Sequence, residues 1–133
     1  MADQPENQNA LNQGRNFVWH EITTADTEGS VAFYTGALDF GYLEMDMGDM
    51  GPYKMLTRGG IPVCGVANAH SGLAPHWAVY IGVDDVDARL ATAEALGATV
   101  VVPAMDVPTV GRMVMIKDPQ GAYVWLFKPN PQM

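Results

Sequence analysis

The sequence predicts an α+β fold: two βαβββ modules paired into a curved mixed sheet around a central cavity. Three observations carry that prediction. The alternating stretch "FVWHEITTAD" (17–26) closes on an aspartate and leads into a helical pattern, then into three strand-like runs. The same order of elements returns from "HWAVYIGV" (76–83) onward. Sliding the first half by 58 positions lays Trp19 on Trp77 and Asp26 on Asp84. Duplicated units tend to pair their halves, and the concave side of the resulting sheet is a ready-made pocket.

The elements follow in order. Residues 1–16 are rich in Asn, Gln and Glu with little to bury, so a flexible polar tail is expected there. One domain should occupy 17–133, with modules over about 17–67 and 76–128. In the first strand Phe17, Trp19, Glu21 and Thr23 alternate with Val18, His20 and Ile22, giving two differently furnished faces. Asp26 reads as the N-cap of a helix over 27–38, with Val31, Tyr34 and Leu38 at helical spacing and Gly41 as its stop. Residues 42–47 read as a strand carrying Leu43, Met45 and Met47 on one face, and "PYKML" and "IPVCGV" form a hairpin about "TRGG". "NAHSGLAP" (68–75) links the modules.

In the second half, Asp84 or Asp85 caps a helix with a Val86, Leu90 and Ala93 stripe, and Gly97 ends it in a left-handed conformation. "ATVVV" (98–102) is a strand, followed by a loop holding Pro103 and Pro108. "RMVMIK" and "AYVWLF" then make a hairpin around "DPQG", in which Asp and Pro start the turn and Gly supplies positive φ.

Composition excludes several functions. Fifteen acidic against seven basic residues give a net charge of −8, which argues against nucleic acid as a partner. No stretch approaches the length of a membrane span, and the N-terminus lacks the charged and apolar regions of a signal peptide. The lone Cys64 has no internal disulfide partner, which suits a reducing cytoplasm. "TRGG" lacks the helix, Lys and Ser/Thr that a phosphate-binding loop needs.

"SVAFYTGALDFGY", "DVDARLATAEALGATVVVP", the "GR" at 111–112 and "DPQGAYVWLFKP" together resemble the vicinal oxygen chelate superfamily, which includes glyoxalase I, bleomycin-resistance proteins and extradiol dioxygenases. The resemblance covers roughly 17–128. It implies a cavity wrapped by both modules and, in metal-using members, ligands on the first and fourth strands of each. Carried over here, those positions fall on Trp19, on Ala78, on Trp125 and near Cys64 or Val66. Tryptophan and alanine bind no divalent cation, so the resemblance leaves the cavity and removes the usual metal.

If Trp19 faces that cavity, Glu21 does too, while His20 leaves on the opposite face. His20 and Glu21 therefore cannot hold one ion together, and His20 reads as structural. Glu21 is either paired with Arg112 or Lys54, or it orients a ligand's amine or hydroxyl. His76 shares the face of Ala78, so a displaced divalent metal on Glu21 and His76 is conceivable, although two ligands seldom suffice. His70 belongs to the linker. Cys64 reads as a small buried hydrophobe on a strand that lines the cavity. Trp19, Tyr80, Trp125 and Phe127, joined by Tyr53 and Met55, make an aromatic and thioether wall.

The expected ligand-contacting set is thus Trp19, Glu21, Tyr53, Met55, Cys64, His76, Tyr80, Trp125 and Phe127, with no metal ligand and no catalytic residue assigned. The expected function is metal-independent binding of a small apolar or aromatic molecule. The alternative is a lyase, isomerase or dioxygenase using a displaced metal or Glu21 and His76 as acid and base. A scaffold or dimerisation module with a vestigial pocket is the third reading, and an exposed sheet edge would permit a homodimer.

Overall fold

A computed structural model describes residues 17–70 and 72–130; the tail expected over 1–16 lies outside them. Eight strands and two longer helices run in the order β1 (Phe17–Thr24), α1 (Thr27–Leu38), β2 (Gly41–Asp46), β3 (Pro52–Arg58), β4 (Ile61–Asn68), β5 (His76–Gly82), α2 (Val86–Ala95), β6 (Thr99–Val107), β7 (Gly111–Lys117) and β8 (Tyr123–Pro129). A short 3₁₀ turn spans Gly48–Met50. This is the α+β, twice-βαβββ arrangement the sequence predicts. The chain divides at Ala78 into two compact units, one of residues 19–78 and one of residues 79–130 with Phe17 and Val18.

In the first unit the strands lie in the order β2-β3-β4-β1, with β1 parallel to β4 and the other neighbours antiparallel. Leu43 pairs with Met55, Met55 with Gly65, and Gly65 with Glu21, so one row of side-chain positions crosses all four strands on one face. The other face carries Ile22, Leu56, Cys64 and Val66, which bury themselves with Val31 and Tyr34 of α1 and with Phe40. Strand alternation produces this division.

The Asp26 carboxylate accepts the Gly29 N–H at 2.9 Å and starts α1 as expected. Gly41 does not stop the helix. Asp39 takes the left-handed conformation (φ 61) two residues earlier, and Arg58 from β3 donates to the Leu38 and Asp39 carbonyls at 3.0 and 3.2 Å. That guanidinium also lies 4.4 Å over the Phe40 ring, so a cation covers the negative end of the helix from outside it. The β3–β4 hairpin turns on Gly59 and Gly60, both at positive φ.

In the second unit the strand order is β5-β8-β7-β6, with β5 parallel to β8 and Tyr80 opposite Trp125. Val83, Val86, Ala98, Val114, Ile116 and Leu126 form the core under α2. The cap of α2 is Asp85, which accepts the Ala88 N–H at 3.0 Å, while Asp84 pairs with Arg89 at 2.8 Å. The halves therefore repeat at 59 positions, Asp26 matching Asp85, and the 58-position superposition is corrected. One residue of slip exchanges the two faces of a strand. Trp77 is accordingly no counterpart of Trp19: it lies on the helix side, where its indole N–H donates to the Tyr34 hydroxyl at 3.2 Å.

The loop expected at Pro103 is also corrected. Strand β6 runs through it, with register shifts between Val100 and Val102 and between Val102 and Met105. The strand closes its end of the ladder, where an edge and a bulge tolerate a residue without an N–H. The last hairpin turns as the sequence suggests: Asp118 accepts the Gln120 and Ala122 N–H groups at 2.9 and 3.0 Å, and Gly121 has φ 97. Among the described residues no helix is long and apolar enough to cross a membrane.

Candidate functional site

On the face of the first unit turned away from α1, β1 presents Trp19, Glu21 and Thr23, β3 presents Tyr53 and Met55, and β4 presents Gly65. Glu21 is only 6 % exposed. A carboxylate that deep needs hydrogen-bond donors, since burying an unpaired charge is costly. The Tyr53 hydroxyl donates to Glu21 Oε2, and the Trp19 indole N–H donates in turn to Tyr53 Oη at 3.0 Å. The three side chains form one chain of donors ending on the carboxylate.

Gly65 makes this chain sterically feasible. A Cβ built on it would overlap the Tyr53 phenol, so the ring's polar end lies directly over β4 only because nothing projects there. Burial, then the negative charge and hydrogen bond of Glu21, push the Tyr53 phenol well above its ordinary range, with the Trp19 N–H opposing. The hydroxyl therefore stays protonated and keeps donating.

His76, at the start of β5, is fixed locally. Its Nδ1 lies 2.8 Å from the Ala74 carbonyl, and the Thr23 hydroxyl donates to the His76 carbonyl at 3.2 Å while lying 3.2 Å from the same ring nitrogen. Thr23 is two residues from Glu21 on β1, so His76 is tethered to the same strand face. Met55 is 3 % exposed in the Glu21–Gly65 row. Leu43 and Met45 extend that face toward the β2 edge and are about half exposed, at 44 % and 45 %.

Cys64 is a correction. It was expected in the ligand-contacting set, but it lies buried among Ile22, Leu56 and Val66 on the α1 side. Burial pushes its thiol up from the ordinary value, so it is a protonated small hydrophobe and no nucleophile. The position on β4 that shares a face with Glu21 is Gly65, which the sequence reading missed. Arg112, one of the two cations considered for Glu21, bonds Asp87 at 2.9 Å and Asp106 at 3.2 Å.

The aromatic residues of the second unit share the face opposite α2 and are largely satisfied by one another. Tyr80 stacks on Trp125 with centroids 5.1 Å apart and planes 7° from parallel, and Phe127 meets Tyr80 edge-on at 6.2 Å. Met115 pairs in register with Trp125 and Met113 with Phe127, two wall residues that register alone could have revealed. Trp125 is 2 % exposed, so a ligand that stacked on its indole would first have to displace Tyr80.

The residues do not fit the divalent ion that the fold family implies. Trp19 and Ala78 on the first strands of the two modules, and Gly65 and Trp125 on the fourth, offer no ligand atoms of the required kind. Among the described residues no three His, Cys, Asp or Glu side chains gather closely enough to hold a metal. On the helix side of the first unit, an open groove of about 410 Å³ runs past Thr24, Asp26, Ser30 and the exposed Phe33, beside an edge-to-face array of Phe33, Tyr34 and Trp77.

Residues 16–126 match the family model described as Glyoxalase/Bleomycin resistance protein/Dioxygenase superfamily. "Putative glyoxylase CFP32" of Mycobacterium tuberculosis is 34 % identical over 92 % of this chain and 47 % of its own length. "Anthracycline biosynthesis protein DnrV" of Streptomyces peucetius is 31 % identical over 78 % of this chain and 43 % of its own. The chain thus spans about half the length of the curated relatives it matches. Among solved structures, the methylmalonyl-CoA epimerase of Mycobacterium tuberculosis superposes with a TM-score of 0.56 at 20 % identity, covering 85 % of this chain and 87 % of that one. Hypothetical protein BH1468 of Bacillus halodurans reaches 0.61 at 14 % identity, over 89 % and 96 %. At those identities the likeness is one of fold.

Proposed function

Because this chain belongs to the Glyoxalase/Bleomycin resistance protein/Dioxygenase superfamily, we propose that it binds a small apolar or aromatic molecule without a resident metal. The observation that carries this reading is the Trp19–Tyr53–Glu21 chain over Gly65. It joins an indole, a phenol and a thioether-flanked strand face to a single anchored carboxylate. Such a face holds a flat molecule by burial and orients it through one polar group. Glu21 serves there as a fixed acceptor for a ligand hydroxyl or amine. The anthracycline named in one relative belongs to the same broad class of flat molecules. A cytoplasmic location accords with the buried free thiol of Cys64.

Native mass spectrometry of protein purified without added metal tests the proposal. The expected spectrum shows the chain, or a dimer of it, with an organic adduct or none, and no metal. Stoichiometric Ni, Zn, Fe or Mn would overturn the reading in favour of a metal-dependent lyase, isomerase or dioxygenase.

A further inference from the structure

The Tyr53 phenol sits where a ligand's phenol could sit. Its oxygen accepts one hydrogen bond, from the Trp19 indole N–H at 3.0 Å, and its proton goes to Glu21 Oε2. One donor and one acceptor match what an aryl hydroxyl exchanges. The space is set aside for it by Gly65, where any side chain would collide with the phenol. These three partners come from β1 and β4, whose register pairs Glu21 with Gly65. Tyr53 comes from a different strand, β3, one residue past its start at Pro52. The berth is therefore built without Tyr53, and rotation of that side chain would vacate it with both strands in place. Tyr53 is half-buried, while Glu21 and Gly65 beneath its hydroxyl are buried.

We propose that Trp19, Gly65 and Glu21 form a recognition site for a phenolic hydroxyl, which Tyr53 occupies as an internal ligand and yields to an incoming hydroxyarene. This inference rests on the small-molecule reading above and narrows its ligand class. An aliphatic alcohol could match the hydrogen bonds but not the flat slot over Gly65. A carboxylate would meet Glu21 charge against charge. A plain arene would fill the slot and leave both polar groups unpaired, the situation in which hydroxyl-reading sites discriminate most strongly.

The experiment is calorimetric titration of the full chain with 1-naphthol and with naphthalene, on wild type, Tyr53→Ala and Glu21→Gln, with circular dichroism confirming the fold. Wild type should bind 1-naphthol about ten-fold or more tightly over naphthalene. Tyr53→Ala should tighten 1-naphthol further by removing its competitor, and Glu21→Gln, whose amide oxygen is an uncharged and weaker acceptor, should reduce the preference. Where Tyr53→Ala does not fold, Tyr53→Phe removes the competing hydroxyl while its ring still fills the slot, and a smaller gain in the same direction is expected. Equal affinities for the two probes would overturn the phenol site and leave aromatic binding standing. Binding of 1-naphthol only after Tyr53 is truncated would show that Tyr53 does not yield, which also overturns the proposal. Binding of neither probe by any variant would overturn both readings.

Discussion

Glu21 is buried on a face otherwise furnished by an indole, a phenol and a thioether, and the Tyr53 hydroxyl donates to it there. Removing the Tyr53 hydroxyl takes a donor from a buried carboxylate, and such a loss costs about 1–3 kcal/mol. Tyr53→Phe should therefore lower the urea midpoint of unfolding without changing its slope. The alkaline limb carries a second signature. Because the folded state holds the Tyr53 phenol above its ordinary value of 10.0, its contribution to stability is complete below that pH and is lost as pH rises toward the folded value. Wild type should lose stability above about pH 10 more steeply than Tyr53→Phe, and parallel curves would show that the phenol is not held this way. Gly65 was silent in the sequence for a plain reason: its importance lies in the Tyr53 ring above it, twelve residues earlier in the chain. Glycine in a strand hints at close approach, but it does not say by what.

At the scale of elements, both helices were legible because caps and apolar spacing are local signals: Asp26, Val31 and Tyr34 for α1, Val86, Leu90 and Ala93 for α2. Strand faces were harder to read, since alternation identifies two faces without saying which one a helix covers. On β1 Trp19 and Glu21 share the face away from α1, and Ile22 occupies the other. On β4 the reading fell one residue off, onto Cys64 where Gly65 belongs. The same ambiguity, with two adjacent aspartates to choose between, set the repeat at 58 positions where the caps require 59. The corrected face of Cys64 has a chemical consequence. Buried under α1 with its thiol kept protonated, it should resist Ellman's reagent in the folded protein and react fully in urea. Rapid labelling of the native chain would return Cys64 to an accessible face. Strand β6 shows the opposite failure, in which Pro103 suggested a loop and an edge position with shifted register accommodated it.

At the scale of the molecule, the twofold βαβββ order was readable from element sequence alone, and the family match over residues 16–126 agrees with it. The candidate site was legible as a set of aromatic positions, less so as a mechanism. Tyr80, Trp125 and Phe127 lie on the face opposite α2 and are engaged with each other, and side-chain pairing of that kind depends on cross-strand register. The linked donors and acceptor concentrate on the first unit, at Trp19, Tyr53 and Glu21. The role proposed for this face is to bind an aromatic molecule without a metal. Its most direct test is the affinity of the neutral aromatic dye Nile red, measured by fluorescence in excess EDTA and again with Zn, Ni or Mn added. Dissociation constants should be equal within about two-fold across these conditions, with about ten-fold weaker binding in Trp19→Ala. Binding that appears only when a metal is supplied would contradict it.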